Sequence, residues 1–241
     1  LVAKYNTSGT KLWHKFFNTS MEIDEFPTAF AIDKNSNIYI CGKRTLVSTG
    51  DFNILLIKYN LNGELVWNKS YGDSTSFLFN DFASDIELDR NGNIFVTGSK
   101  YIGEDSKSDY ITLKYDSSGA LIWDRTYNGT GTDTDEAYAL TLDSSSNVYV
   151  TGVSSGGANR FDIATIKYNN NGIEQWVRTY NGLNFDDAGR YIESDKNGNI
   201  FVGGNTQVEL FGKNVFTVLN YSESGILQWE RKNVSTSAGN N

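Results

Sequence analysis

Written as apolar and polar positions, the chain is a succession of short runs broken by Gly, Asn, Asp and Ser. Stretches such as "NIYICG" alternate, while "FNILLIKY" and "DYITLKY" are almost continuously apolar. Half-buried and fully buried strands are expected to look like this, with the polar breaks as tight turns. The runs also return. "FNILLIKYNLNGELVWNKSYG", "DYITLKYDSSGALIWDRTYNG" and "FDIATIKYNNNGIEQWVRTYNG" are near copies of one another.

The repeat has fixed internal offsets. Trp13, Trp67, Trp123, Trp176 and Trp229 are 54, 56, 53 and 53 residues apart, and a tyrosine and a glycine stand eight and four residues before each. A second block, "AIDKNSNIYICG" in its first copy, is anchored by Asp33, Asp89, Asp143 and Asp195, with an asparagine four and a glycine nine residues further on. Each period holds four runs, A to D in chain order. The A–B link ("DRNGN") and the C–D link ("YDSSG") are short and carry Gly or Asn for positive φ, so both read as hairpins. The B–C and D–A links are longer and vary in length. Four antiparallel strands in a period of this size are the signature of a propeller blade.

The expectation is therefore an all-β chain, a β-propeller of four-stranded antiparallel blades. It divides into an N-terminal half blade (strands C and D, 1–19), full blades at 20–72, 73–128, 129–181 and 182–234, and a polar tail, 235–241. The half blade lacks strands A and B, so the sequence is expected to be a piece of a longer chain of blades.

The pattern "D-x-x-G-N-I-Y-V-T-G" followed by "I-K-Y-D-x-x-G-x-x-x-W-x-R-T-Y-N-G" resembles the SBBP-type β-propeller repeat of bacterial and archaeal surface or secreted proteins. The resemblance covers essentially the whole chain. It implies a propeller in an extracellular or cell-surface setting, and it brings no shared catalytic residues.

Charge and rare residues narrow the chemistry. A net charge of −8 and a pI near 4.7 argue against nucleic acid as a partner. No apolar run is long enough for a membrane-spanning helix. The single cysteine, Cys41, excludes an internal disulfide and a cysteine-based zinc site. It lies in an alternating apolar run and reads as a buried small hydrophobe. The single histidine, His14, reads as a solvent-facing strand residue, which leaves little zinc or general-base chemistry.

Three groups of residues remain as candidates. Trp13, Trp67, Trp123, Trp176 and Trp229 belong to the structural repeat, and each has a Lys or Arg two residues on. In four copies a further ring follows two residues later, so a cation sandwiched between rings along strand D is expected. Sugar platforms are the functional alternative to blade-to-blade packing. The second group, Glu25, Asp81, Asp135 and Asp187, stands eight residues before each A-strand aspartate. A ring of such carboxylates at a channel mouth would suit a hard cation such as Ca2+, and carboxylates accepting backbone N–H bonds in the D–A link are the alternative. No other cofactor is expected. The third group, Phe77, Phe79, Tyr101, Phe185 and Phe211, dots the variable, acidic links, where a rigid scaffold usually carries its binding residues.

No nucleophile–base pair, phosphate-binding glycine loop or histidine cluster is recognisable. The leading expectation is a non-catalytic extracellular scaffold or adhesion propeller that binds a protein or glycan through its variable loop face. A subunit of a surface layer or fibre that self-assembles through open blade edges is the alternative. An enzyme, either a hydrolase or one like quinone-dependent dehydrogenases, is not expected.

Overall fold

A computed structural model describes residues 1–17, 24–46, 50–72, 80–103, 107–131, 133–156, 160–183, 185–209 and 212–233. The described residues form an all-β structure with 18 strands. A two-stranded half-sheet, β1 (Val2–Tyr5) and β2 (Lys11–Lys15), comes first. The first four-stranded sheet holds β3 (Glu25–Ile32), β4 (Ile38–Thr45), β5 (Phe52–Tyr59) and β6 (Leu65–Tyr71). The second holds β7 (Phe82–Leu88), β8 (Ile94–Tyr101), β9 (Ser108–Tyr115) and β10 (Leu121–Tyr127). The third holds β11 (Glu136–Leu142), β12 (Val148–Ser155), β13 (Phe161–Tyr168) and β14 (Glu174–Tyr180). The fourth holds β15 (Asp187–Ser194), β16 (Ile200–Gln207), β17 (Asn214–Tyr221) and β18 (Leu227–Lys232). Each sheet is a meander in chain order.

Side-chain chemistry sets the two hairpins of each sheet. At the β3–β4 turn, Asp33 Oδ1 accepts the N–H groups of Asn35 and Asn37 (2.8 and 2.9 Å), and Asn37 Nδ2 donates to Oδ2 at 2.7 Å. Asp89, Asp143 and Asp195 make the same three bonds in the other sheets. The turn needs one residue at positive φ. Gly92 and Gly198 supply it, and Ser36 and Ser146 adopt it at φ 62° and 60°.

A bulge follows in every A–B pairing, where Thr28, Ser84, Tyr138 and Arg190 drop out of register. The bulge carries a carbonyl towards the facing strand. A Cβ on Gly42, Gly98 or Gly204 would lie 2.0 Å from the oxygen of Phe26, Phe82 or Ala188. In these three repeats the glycine nine residues after the A-strand aspartate is thus a steric requirement.

The chain forms two compact units, Leu1–Thr126 and Tyr127–Asn241. In the first, Tyr39, Cys41, Ile54 and Leu56 pack on Ala83, Ile86, Ile94, Val96, Ile111 and Leu113 of the second sheet. Val2 and Phe17 of the half-sheet region cover Ile40, Leu55, Ile57 and Tyr59. Cys41 is deep in this layer, and burial pushes its thiol up to about 12, so it is protonated and unreactive at neutral pH. In the second unit, Ala139, Tyr149, Ile163, Trp176 and Tyr180 pack on Ile192, Ile200, Val202, Leu219 and Tyr221. His14 is exposed.

Candidate functional site

The repeated tryptophans do two jobs. Within a sheet, register puts Tyr39, Lys58 and Trp67 in one row across three strands, and likewise Tyr149, Lys167 and Trp176. Lysine ammonium groups sit 4.9 to 5.1 Å over the aromatic ring of strand B, in the pairs Lys58–Tyr39, Lys114–Phe95 and Lys167–Tyr149. Arginines 125, 178 and 231 sit 5.6 to 5.7 Å over the tryptophan two residues before them. The lysine–ring rows thus run across the sheet, while the arginines stack on the tryptophan of their own strand D, which is one side of the expected sandwich. Neighbouring strands lie about 4.8 Å apart, whereas two residues along a strand span about 6.6 Å, so the cross-strand ring is nearer. The terminal tyrosine of strand D turns elsewhere: Tyr71 Oη donates to Asp124 Oδ2 of the next sheet at 2.6 Å.

Between sheets, the same residues grip the following C–D turn. Trp13 lies against Gly63, Trp67 against Gly119 and Trp176 against Gly225, so close that an added Cβ would meet each ring at 2.7 to 3.1 Å. Lys4, Lys58 and Lys167 donate to the carbonyls of Leu61, Ser117 and Glu223, all at 3.3 Å. Trp176 Nε1 also donates to Glu223 O at 3.0 Å, and Arg178 Nε to Gly225 O at 2.6 Å. Trp123 and Trp176 are 8% exposed, while Trp229 is 37% exposed. Buried indoles are packing elements and present no flat face to a sugar.

The four carboxylates at the start of strand A are engaged inside their own repeats. Glu25 Oε1 lies 4.0 Å from the Arg44 guanidinium. Asp81 Oδ1 accepts the N–H of Tyr101 at 2.8 Å, tying the D–A link to the end of β8. Asp135 accepts from Gly129 N and Ser155 N, both at 2.9 Å. Asp187 Oδ2 accepts from Gly182 N at 2.6 Å. These aspartates clamp the bases of the variable links. Among the described residues, no group of three or more His, Cys, Asp or Glu side chains is arranged to hold a metal ion.

One feature of this end of the sheets escaped sequence reasoning. Asp162, at the start of β13, is buried near Asp187, and each has a buried Oδ1 without a hydrogen-bond partner. Burial, then the charges of Asp187 and Asp186, pushes the Asp162 carboxyl up to about 6. Burial also raises Asp187, against the opposing pull of Gly182 N–H, Thr206 and Lys232. The signal was present in the repeat: Asn53, Asp109, Asp162 and Val215 occupy one position, so two of the four copies do without a carboxylate there.

Of the link aromatics, Tyr101 is half-buried at the end of β8, and Phe185 is half-buried under the Arg160 guanidinium at 5.0 Å. Phe77, Phe79 and Phe211 lie outside the described residues. The described links expose Asp24, Asp133 and Asp186.

No protein-family model and no curated protein matches the sequence. Solved structures do. A bacterial surface component of the type-IX secretion system, PorZ of Porphyromonas gingivalis, is 13% identical with a TM-score of 0.51, over 93% of this chain and 30% of that one. A gluconolactonase from Xanthomonas campestris is 14% identical with a TM-score of 0.45, over 84% and 60%. A xylan β-1,4-xylosidase from Bacillus halodurans is 14% identical with a TM-score of 0.46, over 89% and 44%. The chain thus spans less than two thirds of each of these proteins. The expectation that the chain is not an enzyme is corrected: the similar structures include a gluconolactonase and a xylosidase, and a fold by itself neither excludes nor assigns catalysis. At such identities the likeness assigns no activity either. What the chain shares with PorZ is the fold alone, an all-β, propeller-like architecture of antiparallel sheets.

Proposed function

We propose that the chain forms four full blades and a half blade of a β-propeller at the cell surface or outside the cell. In this reading it binds a protein or glycan partner through the face built from the B–C and D–A links. One observation carries the reading. The C–D turns at one end of the strands are held in uniform latches, with Lys4, Lys58 and Lys167 all on turn carbonyls. At the other end the link bases are held by Asp81, Asp135 and Asp187, and the links differ in length and sequence. Fixed bases with varied, acidic tips are how a rigid scaffold presents recognition residues. The resemblance of the repeat to SBBP-type sequences supports the extracellular setting.

The test is a glycan array and a surface-protein binding screen with the intact chain, repeated after exchanging one link. Replacing residues 102–107 by the shorter 156–160 link should leave the melting temperature within a few degrees and abolish the binding. Binding that survives exchange of every link on this face would refute the reading.

A further inference from the structure

In the second unit, two buried carboxylates meet where strand C of one sheet reaches the start of strand A of the next. Phe161 N, at the head of β13, donates to Asp186 Oδ1 at 3.1 Å, so Asp162 and Asp187 follow side by side. The first unit shows the same junction. Phe52 and Asn80 form a parallel bridge there, and a Cβ on Gly72 would lie 2.5 Å from Asn53 Oδ1 and 2.7 Å from Asp81 Oδ2. The two positions thus share one pocket, and in the second unit both carry a carboxylate. Asp162 is 8% exposed and Asp187 1%, and among the described residues neither Oδ1 has a hydrogen-bond partner. The opening at Asp187 has a specific cause. Asp81 and Asp135 each fill Oδ1 with the N–H of the residue 20 positions on, Tyr101 and Ser155. The corresponding N–H, that of Gln207, donates to the Asp186 carbonyl at 3.0 Å instead. Lys232, the cation that acts on Asp187, lies 3.7 Å from Glu230 Oε1 and 5.5 Å over the Tyr180 ring.

We propose that Asp162 and Asp187 form a site for one calcium ion, bound through their two unpartnered Oδ1 atoms at the junction of the third and fourth sheets. The inference is independent of the partner-binding reading above. It also differs from a ring of equivalent carboxylates, because one ligand comes from strand C and the other from the start of strand A. Two acceptor oxygens buried without donors are costly, and a divalent cation between them turns their repulsion into a bridge. Two carboxylates balance its charge. Asp186 is exposed beside them with Oδ1 on Phe161 N, and it adds negative field. Calcium suits the pair better than magnesium, since it accepts irregular sets of oxygen ligands and completes them with water, whereas magnesium demands a near-ideal octahedron. A site with only two carboxylates belongs with the weak calcium sites of extracellular modules, with Kd of about 0.1–1 mM.

The test is a calorimetric titration of CaCl2 into the chelator-treated full chain, with thermal unfolding alongside. Salt at roughly 150 mM screens the diffuse attraction of cations to a chain of net charge −8. Binding should saturate at one ion per chain, and the melting temperature should rise with calcium concentration, and less with magnesium. Asp162→Asn places at this position the residue found at Asn53, so the fold should be kept. It should weaken binding at least about tenfold, as loss of a metal ligand does, and remove the calcium-dependent rise. Asp81→Asn in the first unit is the control: whatever it does to the melting temperature without calcium, the rise on adding calcium should persist. Absence of saturable binding by roughly 10 mM CaCl2, well above the expected Kd, would overturn the inference. So would a calcium-dependent rise that survives Asp162→Asn, or one that Asp81→Asn removes equally, since either would mean adventitious binding to the acidic surface.

Discussion

Gly98 has no need of positive φ, yet no larger residue fits there, because the Phe82 carbonyl oxygen occupies the place of its Cβ. Gly98→Ala must push one backbone against another and is expected to cost about 1–3 kcal/mol in urea denaturation. Ser146 is the opposite case: it adopts φ 60° against its own preference. Ser146→Gly should stabilise the chain by roughly 0.5–1 kcal/mol, less than the full left-handed penalty because glycine is freer when unfolded. Asp162 gives a pH signature. Its folded-state value is about 6 against an ordinary 3.8, so the folded chain holds a proton there that the unfolded chain has released. This contribution costs stability as pH rises from about 4 to about 6, and the cost persists above. Asp162→Asn, the residue already present at Asn53, should raise the melting temperature at pH 7 and flatten that part of the profile. The turn aspartates and the glycines were legible because each recurs at an invariant offset. The Asp162–Asp187 approach was not, since it depends on how strand C meets the following D–A link, and the link lengths vary.

At the scale of the element, strand D is the part whose role is most visible in its sequence and least visible in its geometry. The recurrence of tryptophan shows that every repeat needs one. It does not show which strands the indole touches, and the row Tyr39–Lys58–Trp67 appears only once three strands are in register. Nor does the sequence say that the Trp176 indole lies on Gly225, 49 residues away. Position in the array sets what each tryptophan is worth. Trp176→Ala should cost about 3–5 kcal/mol, as removal of a buried aromatic does. Trp229→Ala, at a partly exposed site, should stay within about 0.5 kcal/mol. Equal losses in chemical denaturation would mean that the indoles act within their own sheets and not between them.

For the whole molecule, order is expected to fall away from the strands buried along their length. β9 and β12 are buried throughout, whereas β2 and β18 are largely exposed. Hydrogen exchange should be slowest in β9 and β12 and fastest in β2 and β18, since local opening follows buried contact. Uniform protection across all sheets would show a single cooperative block instead. The latch between repeats has a wider consequence. Lysine, tryptophan and arginine seize turn carbonyls and a bare glycine, groups that every repeat offers whatever its other residues are. A junction of this kind does not read the identity of its neighbour. In-frame duplication, excision or reshuffling of whole periods would leave each junction intact, so such genes can lengthen by copying while only the links diverge.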